Sequence, residues 1–334
     1  MRQRVISDGR VDLTVSELCL GTMYFGYRTD ERTAFAVLDR FREAGGTFLD
    51  TANNYGQWHG EAGESERVLG RWMRARGVTD RMVVATKVGA RTLRPGDPSP
   101  EHWQGLTAEH VRADAETSRR QLGKDRLDLY YAHIDDRATP LAETVDALAG
   151  LAESGTVGLL GCSNTALWRV EQARGLARAA ARPGYSCLQQ RHSYLLPLPG
   201  PRQSNLISEE TLDHAEVTGM NLLAYSPLLQ GLYARGGRLG GEYAHSVNRT
   251  RLEVLHEVAR EHDATPNQVV LAWLLAGRPA ITPITGASTV EQLDEILGAL
   301  ELTLDEPALT RLTEAGRAGF PVAGALRPEP SVAG

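Results

Sequence analysis

Apolar residues along this chain alternate between two periods. Short, β-rich apolar runs occur at 17–20, 47–50, 82–87, 127–133, 157–162, 185–189, 221–225 and 280–284. Between them, apolar positions recur with helical spacing at 31–44, 64–76, 108–122, 141–154, 166–181, 209–218 and 266–276, with 290–299 following the last run. Two of these helices carry start signals: Thr107 before Ala-Glu, and Thr265-Pro266, a hydroxyl cap ahead of a proline at the first helical position. At the N-terminus, Asp8-Gly9 lies between Val5-Ile6 and Val11-Leu13, a spacing that predicts a tight β-hairpin.

Strands that alternate with helices predict an α/β fold with a parallel sheet, and a count of eight favours a closed (β/α)8 TIM barrel over an open, doubly wound sheet. The open-sheet alternative needs a Gly-rich turn after its first strand. The chain instead reads GTMYFG after Leu20, which is not GxGxxG, and GxxxxGK[ST] is absent. A barrel gathers its site from many strand ends. Almost every run here ends in residues a ligand could use: Thr22, Asp50, Lys87, His133, Ser163-Asn164, Gln189, Tyr225-Ser226 and Thr285-Gly286. The expected organisation is one barrel domain over 1–334, with the hairpin at 1–14 and long loops at the C-terminal face. The connections 89–105, rich in Gly, Pro and Arg, and 230–248, rich in Gly and Arg, read as functional lids or binding loops. The tail 320–334 has little to pack and is expected to lie over the surface or move.

Composition narrows the partners. A net charge of -6, with 42% hydrophobic and 23% charged residues, is that of an ordinary globular protein and gives no general pull towards nucleic acid. Cys19, Cys162 and Cys187 sit in apolar runs without CxxC spacing, so a disulfide frame or a metal site is not expected. With no secretory leader and no apolar run near membrane-spanning length, the protein is expected to be soluble and cytoplasmic.

Four strand-end residues carry the chemistry: Asp50, Tyr55, Lys87 and His133. Singly, each has an ordinary structural reading: a turn cap, a packing tyrosine, an exposed lysine and a hydrogen-bonded core histidine. Together they form a proton-delivery set. A lysine beside a tyrosine stabilises phenolate, a carboxylate keeps the lysine charged, and a neutral histidine orients a carbonyl.

The segments GGTFLDTANNYG, GESERVLG, TKVG and DRLDLYYAHIDD, in that order, resemble the aldo-keto reductase superfamily, and the resemblance runs from LCLGTMYFG to GASTVEQLDE. It implies a barrel that binds NADPH in extended form and reduces aldehydes or ketones to alcohols. By that resemblance Tyr55 is the general acid, Lys87 lowers its pKa, Asp50 pairs with Lys87, and His133 orients the carbonyl. It also implies cofactor contacts from Thr22 and Met23 at the nicotinamide ribose, and from Ser163, Asn164 and Gln189 at the carboxamide. Tyr225, Ser226, Pro227, Leu228 and Gly231 are similar to the pyrophosphate loop, and Gly286, Ser288, Gln292 and Glu295 to the adenosine segment. Taken alone, that last segment is also a plain helix start capped by Ser288 or Thr289.

The chain departs from the family pattern in three places. His192 stands where an aromatic is expected to stack on the nicotinamide. Ile296 replaces the Asn that follows the adenine-contacting Glu. No Lys or Arg occurs within 286–295, so NADPH selection, with NADH as the alternative, falls to Arg235, Arg238 or Arg249. The substrate pocket is expected from Tyr24, Trp58, His59 and the loop 91–103, with His102 and Trp103 in it, a mix that suits a keto-sugar or small aldehyde. Two rival readings remain at this point. One is a cofactor-sensing protein like the channel-associated β subunits, which carry Asn in place of His133. The other is a Schiff-base barrel enzyme using Lys87.

Overall fold

The computed structural model describes residues 1–198, 205–234 and 239–316. Arg235, Arg238 and the tail 320–334 lie outside the described residues. The eight expected strands close into one parallel barrel: β3 (Cys19–Gly21), β4 (Phe48–Asp50), β5 (Val83–Val88), β6 (Leu127–Ala132), β7 (Val157–Ser163), β8 (Cys187–Arg191), β9 (Asn221–Tyr225) and β10 (Ile281–Gly286). Each strand pairs with the next in sequence, and β10 closes on β3 through Ile284 opposite Cys19. The hairpin of β1 (Gln3–Ser7) and β2 (Asp12–Ser16) pairs Ile6 with Leu13. Its apolar face, Ile6, Leu13 and Val15, packs into the barrel interior with Cys19, Phe48, Leu129, Cys187 and Leu223. The hairpin therefore plugs one end of the barrel and leaves the other for a ligand.

Ten α-helices are described: α1 (Glu31–Glu43), α2 (Glu64–Arg76), α3 (Ala108–Leu122), α4 (Leu141–Glu153), α5 (Leu167–Ala179), α6 (Glu209–Thr218), α7 (Ser246–Glu261), α8 (Pro266–Ala276), α9 (Val290–Gly298) and α10 (Glu306–Glu314). Capping fixes several starts as the sequence predicts. Thr107 accepts from the His110 amide, and Thr265 forms a reciprocal capping box with Gln268. Two helices were not foreseen. α7 begins inside the stretch expected to be loop, and α10 follows an Asp305 cap. In α7, Asn248 and Arg251 are buried beside Val247, Leu252, Leu255 and Val258, which blurs its apolar stripe. The two helices pack with α8 in a second apolar cluster around Tyr194 and Tyr233.

Strand alternation divides β5 between two environments. Lys87 points into the barrel and is fully buried, while Thr86 points outwards to the helices. There its hydroxyl donates to Glu66 Oε1 of α2 at 2.5 Å. Burial pushes the Glu66 carboxyl up to about 7, and the nearby Asp114 adds to the rise. Among the described residues no helix is long and apolar enough to cross a membrane. The three cysteines are buried free thiols, and no group of three or more His, Cys, Asp or Glu that could hold a metal ion occurs among the described residues.

A raised carboxyl pKa stabilises the fold below its unfolded value, and that contribution is lost as the pH rises through the folded value. Glu66→Gln should therefore gain stability relative to the parent between about pH 5 and about pH 8, read by urea unfolding at each pH. A stability difference that does not change with pH would show that Glu66 is ionised throughout.

Candidate active site

The site is built where β4, β5 and β6 end. Asp50 closes β4 and pairs in register with Gly21 and Ala85, which turns its carboxylate into the barrel. The chain continues through Thr51, whose amide donates to the Ala85 carbonyl, and Asn53, whose amide donates to that of Lys87. Those bonds hold the following turn over the end of β5. Tyr55 is thereby placed above Lys87.

Lys87 Nζ donates to Asp50 Oδ1 at 2.5 Å, to the Thr51 carbonyl at 2.6 Å and to the Tyr55 hydroxyl at 3.2 Å. Burial opposes charge on this ammonium, but Asp50 and Tyr55 more than offset it, and its pKa lies above the ordinary lysine value. Asp50 Oδ2 accepts from Gln189 Nε2 at 2.8 Å, so β8 braces the carboxylate from across the barrel. Burial raises the Tyr55 pKa; Lys87 pulls it down without cancelling that rise. The net direction is opposite to the lowering that the family resemblance implies. The His133 ring meets the Tyr55 ring edge-on at 6.0 Å between centroids. Burial, with Lys87 adding, holds its pKa well below the usual histidine value, so the imidazole is neutral.

These residues form one end of a cavity of about 900 Å³, at the upper end of the range for small-molecule sites. Thr22, Met23, Ser163, Asn164, Gln189, Tyr225, Ser226, Pro227, Leu228, Gly231, Gly286, Ser288, Gln292 and Glu295 all line it, as do Tyr24, Trp58 and Trp103. Asn164 is held at a positive φ of 54° and accepts from the Tyr225 hydroxyl at 2.8 Å, fixing that ring on the cavity wall. Ser226, Leu229 and Gln230 are also at positive φ, as is Gly231, so the backbone of this wall is tightly curled and strained at its non-glycine positions. At α9, Thr289 caps the helix and Gln292 accepts from the Ser288 amide at 2.8 Å. A curled backbone on one wall and a helix N-terminus on another fit the phosphates of an extended dinucleotide.

Four expected residues lie outside the lining. His192 is past the end of β8, and its ring stacks on Trp273 at 6.1 Å, outside the cavity lining, whereas the Tyr225 ring lines the cavity. His59 is carried outwards by the turn after Tyr55 and stacks on Tyr27 at 5.2 Å. His102 and Arg249 are likewise absent from the lining.

Other lining residues were not foreseen, among them Arg28, Asn54 and Asn267. Asn267 donates to Glu295 Oε1 at 3.1 Å, beside Thr265 Oγ1 at 2.9 Å, so the start of α8 braces the carboxylate of α9. Its position directly after the Thr265-Pro266 helix start was the available signal. Asp114 of α3 does similar work under the substrate-side loop. It accepts from Asn53 Nδ2 at 2.6 Å, from Arg91 Nη2 at 3.0 Å and from Gln104, linking the turn that carries Tyr55 to the loop that carries Trp103.

The model of the aldo/keto reductase family matches residues 17–317. An oxidoreductase of Bacillus subtilis, named uncharacterized oxidoreductase YrpG, is 35% identical over 96% of this chain and 97% of its own length. Norsolorinic acid reductase of Aspergillus flavus is 30% identical, covering 96% of this chain and 82% of that protein. Aryl-alcohol dehydrogenase GME11368 of Pestalotiopsis microspora is 29% identical over 91% of this chain and 79% of that protein.

Removing one partner of a buried ion pair leaves a bare charge and costs about 3–5 kcal/mol, whereas removing both costs much less. Lys87→Met should therefore destabilise the protein more than Lys87→Met with Asp50→Asn, measured by denaturant unfolding. Equal losses would mean that water or another group compensates Asp50 once Lys87 is gone.

Proposed function

This chain belongs to the aldo/keto reductase family, an oxidoreductase family acting on small carbonyl compounds with nicotinamide cofactors, and from that premise we propose that it reduces aromatic aldehydes or ketones. The observation that carries the reading is the Lys87 contact to both Asp50 and Tyr55 at the floor of the cavity. A nicotinamide cofactor, when held in the cavity, would supply the hydride. Tyr55 gives its hydroxyl proton to the carbonyl oxygen, and Lys87, 3.2 Å away, stabilises the phenolate left behind. Asp50 keeps Lys87 charged. The neutral His133 donates a hydrogen bond to the same carbonyl oxygen and sets its approach. Tyr225, its hydroxyl tied to Asn164 and Asn205, would present its ring to a bound nicotinamide. One barrel domain carries all of these groups.

The raised pKa of Tyr55 agrees with this role, since the acid must keep its proton until the hydride arrives. The aromatic class is favoured over a keto-sugar because Tyr24, Trp58 and Trp103 wall the cavity, and because one relative is named an aryl-alcohol dehydrogenase. The proposed dinucleotide is NADPH, with NADH the alternative, since 286–295 carries no Lys or Arg to meet a 2′-phosphate.

Tyr55→Phe removes the proton donor and leaves the cavity wall. It should retain NADP+ binding, followed by quenching of tryptophan fluorescence, while kcat for an aromatic aldehyde falls by about 10²–10⁴. Turnover at the parent rate would overturn the assignment of Tyr55.

A further inference from the structure

Among the described residues that line the cavity, Arg28 is the only arginine or lysine. The other charged lining groups are Asp50, paired with Lys87, and Glu295, held by Thr265 and Asn267. Arg28 is exposed and has no carboxylate partner among the described residues, although acids are plentiful beside it. Each of those acids is committed elsewhere: Asp30 caps α1 through Thr33, Glu31 pairs with Arg71, and Glu64 pairs with Arg67 and Arg71.

The position of Arg28 is nonetheless defined. Its guanidinium lies over the Tyr24 ring, 5.0 Å from the centroid, a cation–π contact that orients the charge while leaving its N–H edge free to bind. The loop beneath is tied down at both ends. Gly26 donates to the Thr29 carbonyl at 2.8 Å, and Arg28 and Thr29 donate to the Tyr24 carbonyl at 3.2 and 3.0 Å. Phe25 is buried, and Gly26 is packed so closely on α2 that a Cβ there would overlap the Glu64 side chain. Tyr24 also meets Tyr27 edge-on at 5.9 Å, and Tyr27 stacks on His59, four residues beyond Tyr55. Arg28 thus stands at the end of an aromatic wall on the side of the cavity that holds Tyr55.

An unpaired guanidinium on a rigid loop at the mouth of a cavity presents a fork matched to a carboxylate or phosphate. We propose that Arg28 is the anion-recognition residue of this cavity, binding a carboxylate of the carbonyl substrate or a phosphate of the bound dinucleotide. This inference rests on the reductase reading for its substrate arm only.

The test compares the parent with Arg28→Gln and Arg28→Lys. One arm measures kcat/KM for 4-carboxybenzaldehyde and for its neutral methyl ester; the other measures Kd for NADP+ and NAD+ by fluorescence titration at low and high salt. Loss of one charge-assisted contact should lower either the acid-to-ester ratio or the dinucleotide affinity by about tenfold in Arg28→Gln, with partial recovery in Arg28→Lys and a smaller effect at high salt. A change in the ratio assigns the anion to the substrate, and a change in Kd assigns it to the dinucleotide. If both stay within about twofold of the parent, the proposal is wrong. Should the parent reduce neither aldehyde, the reductase reading fails on its own and the Kd arm alone decides the role of Arg28.

Discussion

A fully buried ammonium is the constraint around which this barrel is arranged. Lys87 has no solvent exposure, and stripping water from such a group costs several kcal/mol unless its protons find acceptors. Three are supplied: the Asp50 carboxylate, the Thr51 carbonyl and the Tyr55 hydroxyl. All three come from one stretch at the end of β4, so β4 and β5 must pair in the observed register for the charge to be tolerated. Gln189 then takes the second oxygen of Asp50 and extends the constraint across to β8. A slip of one residue in β5 would turn Lys87 outwards against the helices and Thr86 into the barrel.

The loops of the site are fixed by a second set of buried polar groups. Asp114 gathers Asn53, Arg91 and Gln104, while Gln57 donates to the Ala90 carbonyl and accepts from the Thr92 amide at 2.9 Å. Both join the turn around Tyr55 to the loop after β5. The wall bearing Trp103 is therefore anchored through the same turn that presents Tyr55. On the opposite wall the strained backbone from Ser226 to Gly231 is kept in place by apolar packing of Leu228, Leu229, Leu232 and Tyr233 against the α7–α8 cluster. The strain is held by the fold at the cavity wall.

Period and count were enough to read the barrel, because a buried parallel strand and an amphipathic helix leave different traces in the sequence. The hairpin was legible from Asp8-Gly9, and helix starts from Thr107 and Thr265-Pro266. What escaped were features that depend on distant neighbours. α7 buries Asn248 and Arg251, whose partners Leu196 and Tyr194 lie some fifty residues away, so its stripe does not look apolar. His192 follows Gln189 closely in sequence, yet the strand ends between them and the ring turns to Trp273 of α8. Asn267 and Arg28 look like ordinary helix-start and loop residues. Their place on the cavity wall comes from α8 packing against α9 and from the loop after β3 folding over Tyr24.

Burial and Lys87 act on the Tyr55 phenol in opposite senses, and burial prevails in the open cavity. The lysine does not need to produce phenolate in advance. In the proposed reaction its contribution would grow as the proton leaves, because a full negative charge would then develop 3.2 Å from a fixed ammonium, in a cavity from which a bound ligand would displace water. A free tyrosine gains nothing of this kind on ionisation. In the proposed reaction, the same geometry that keeps the proton on Tyr55 at rest would therefore lower the barrier to its transfer, and the two effects do not conflict, since one acts on the ground state and the other on the transition state.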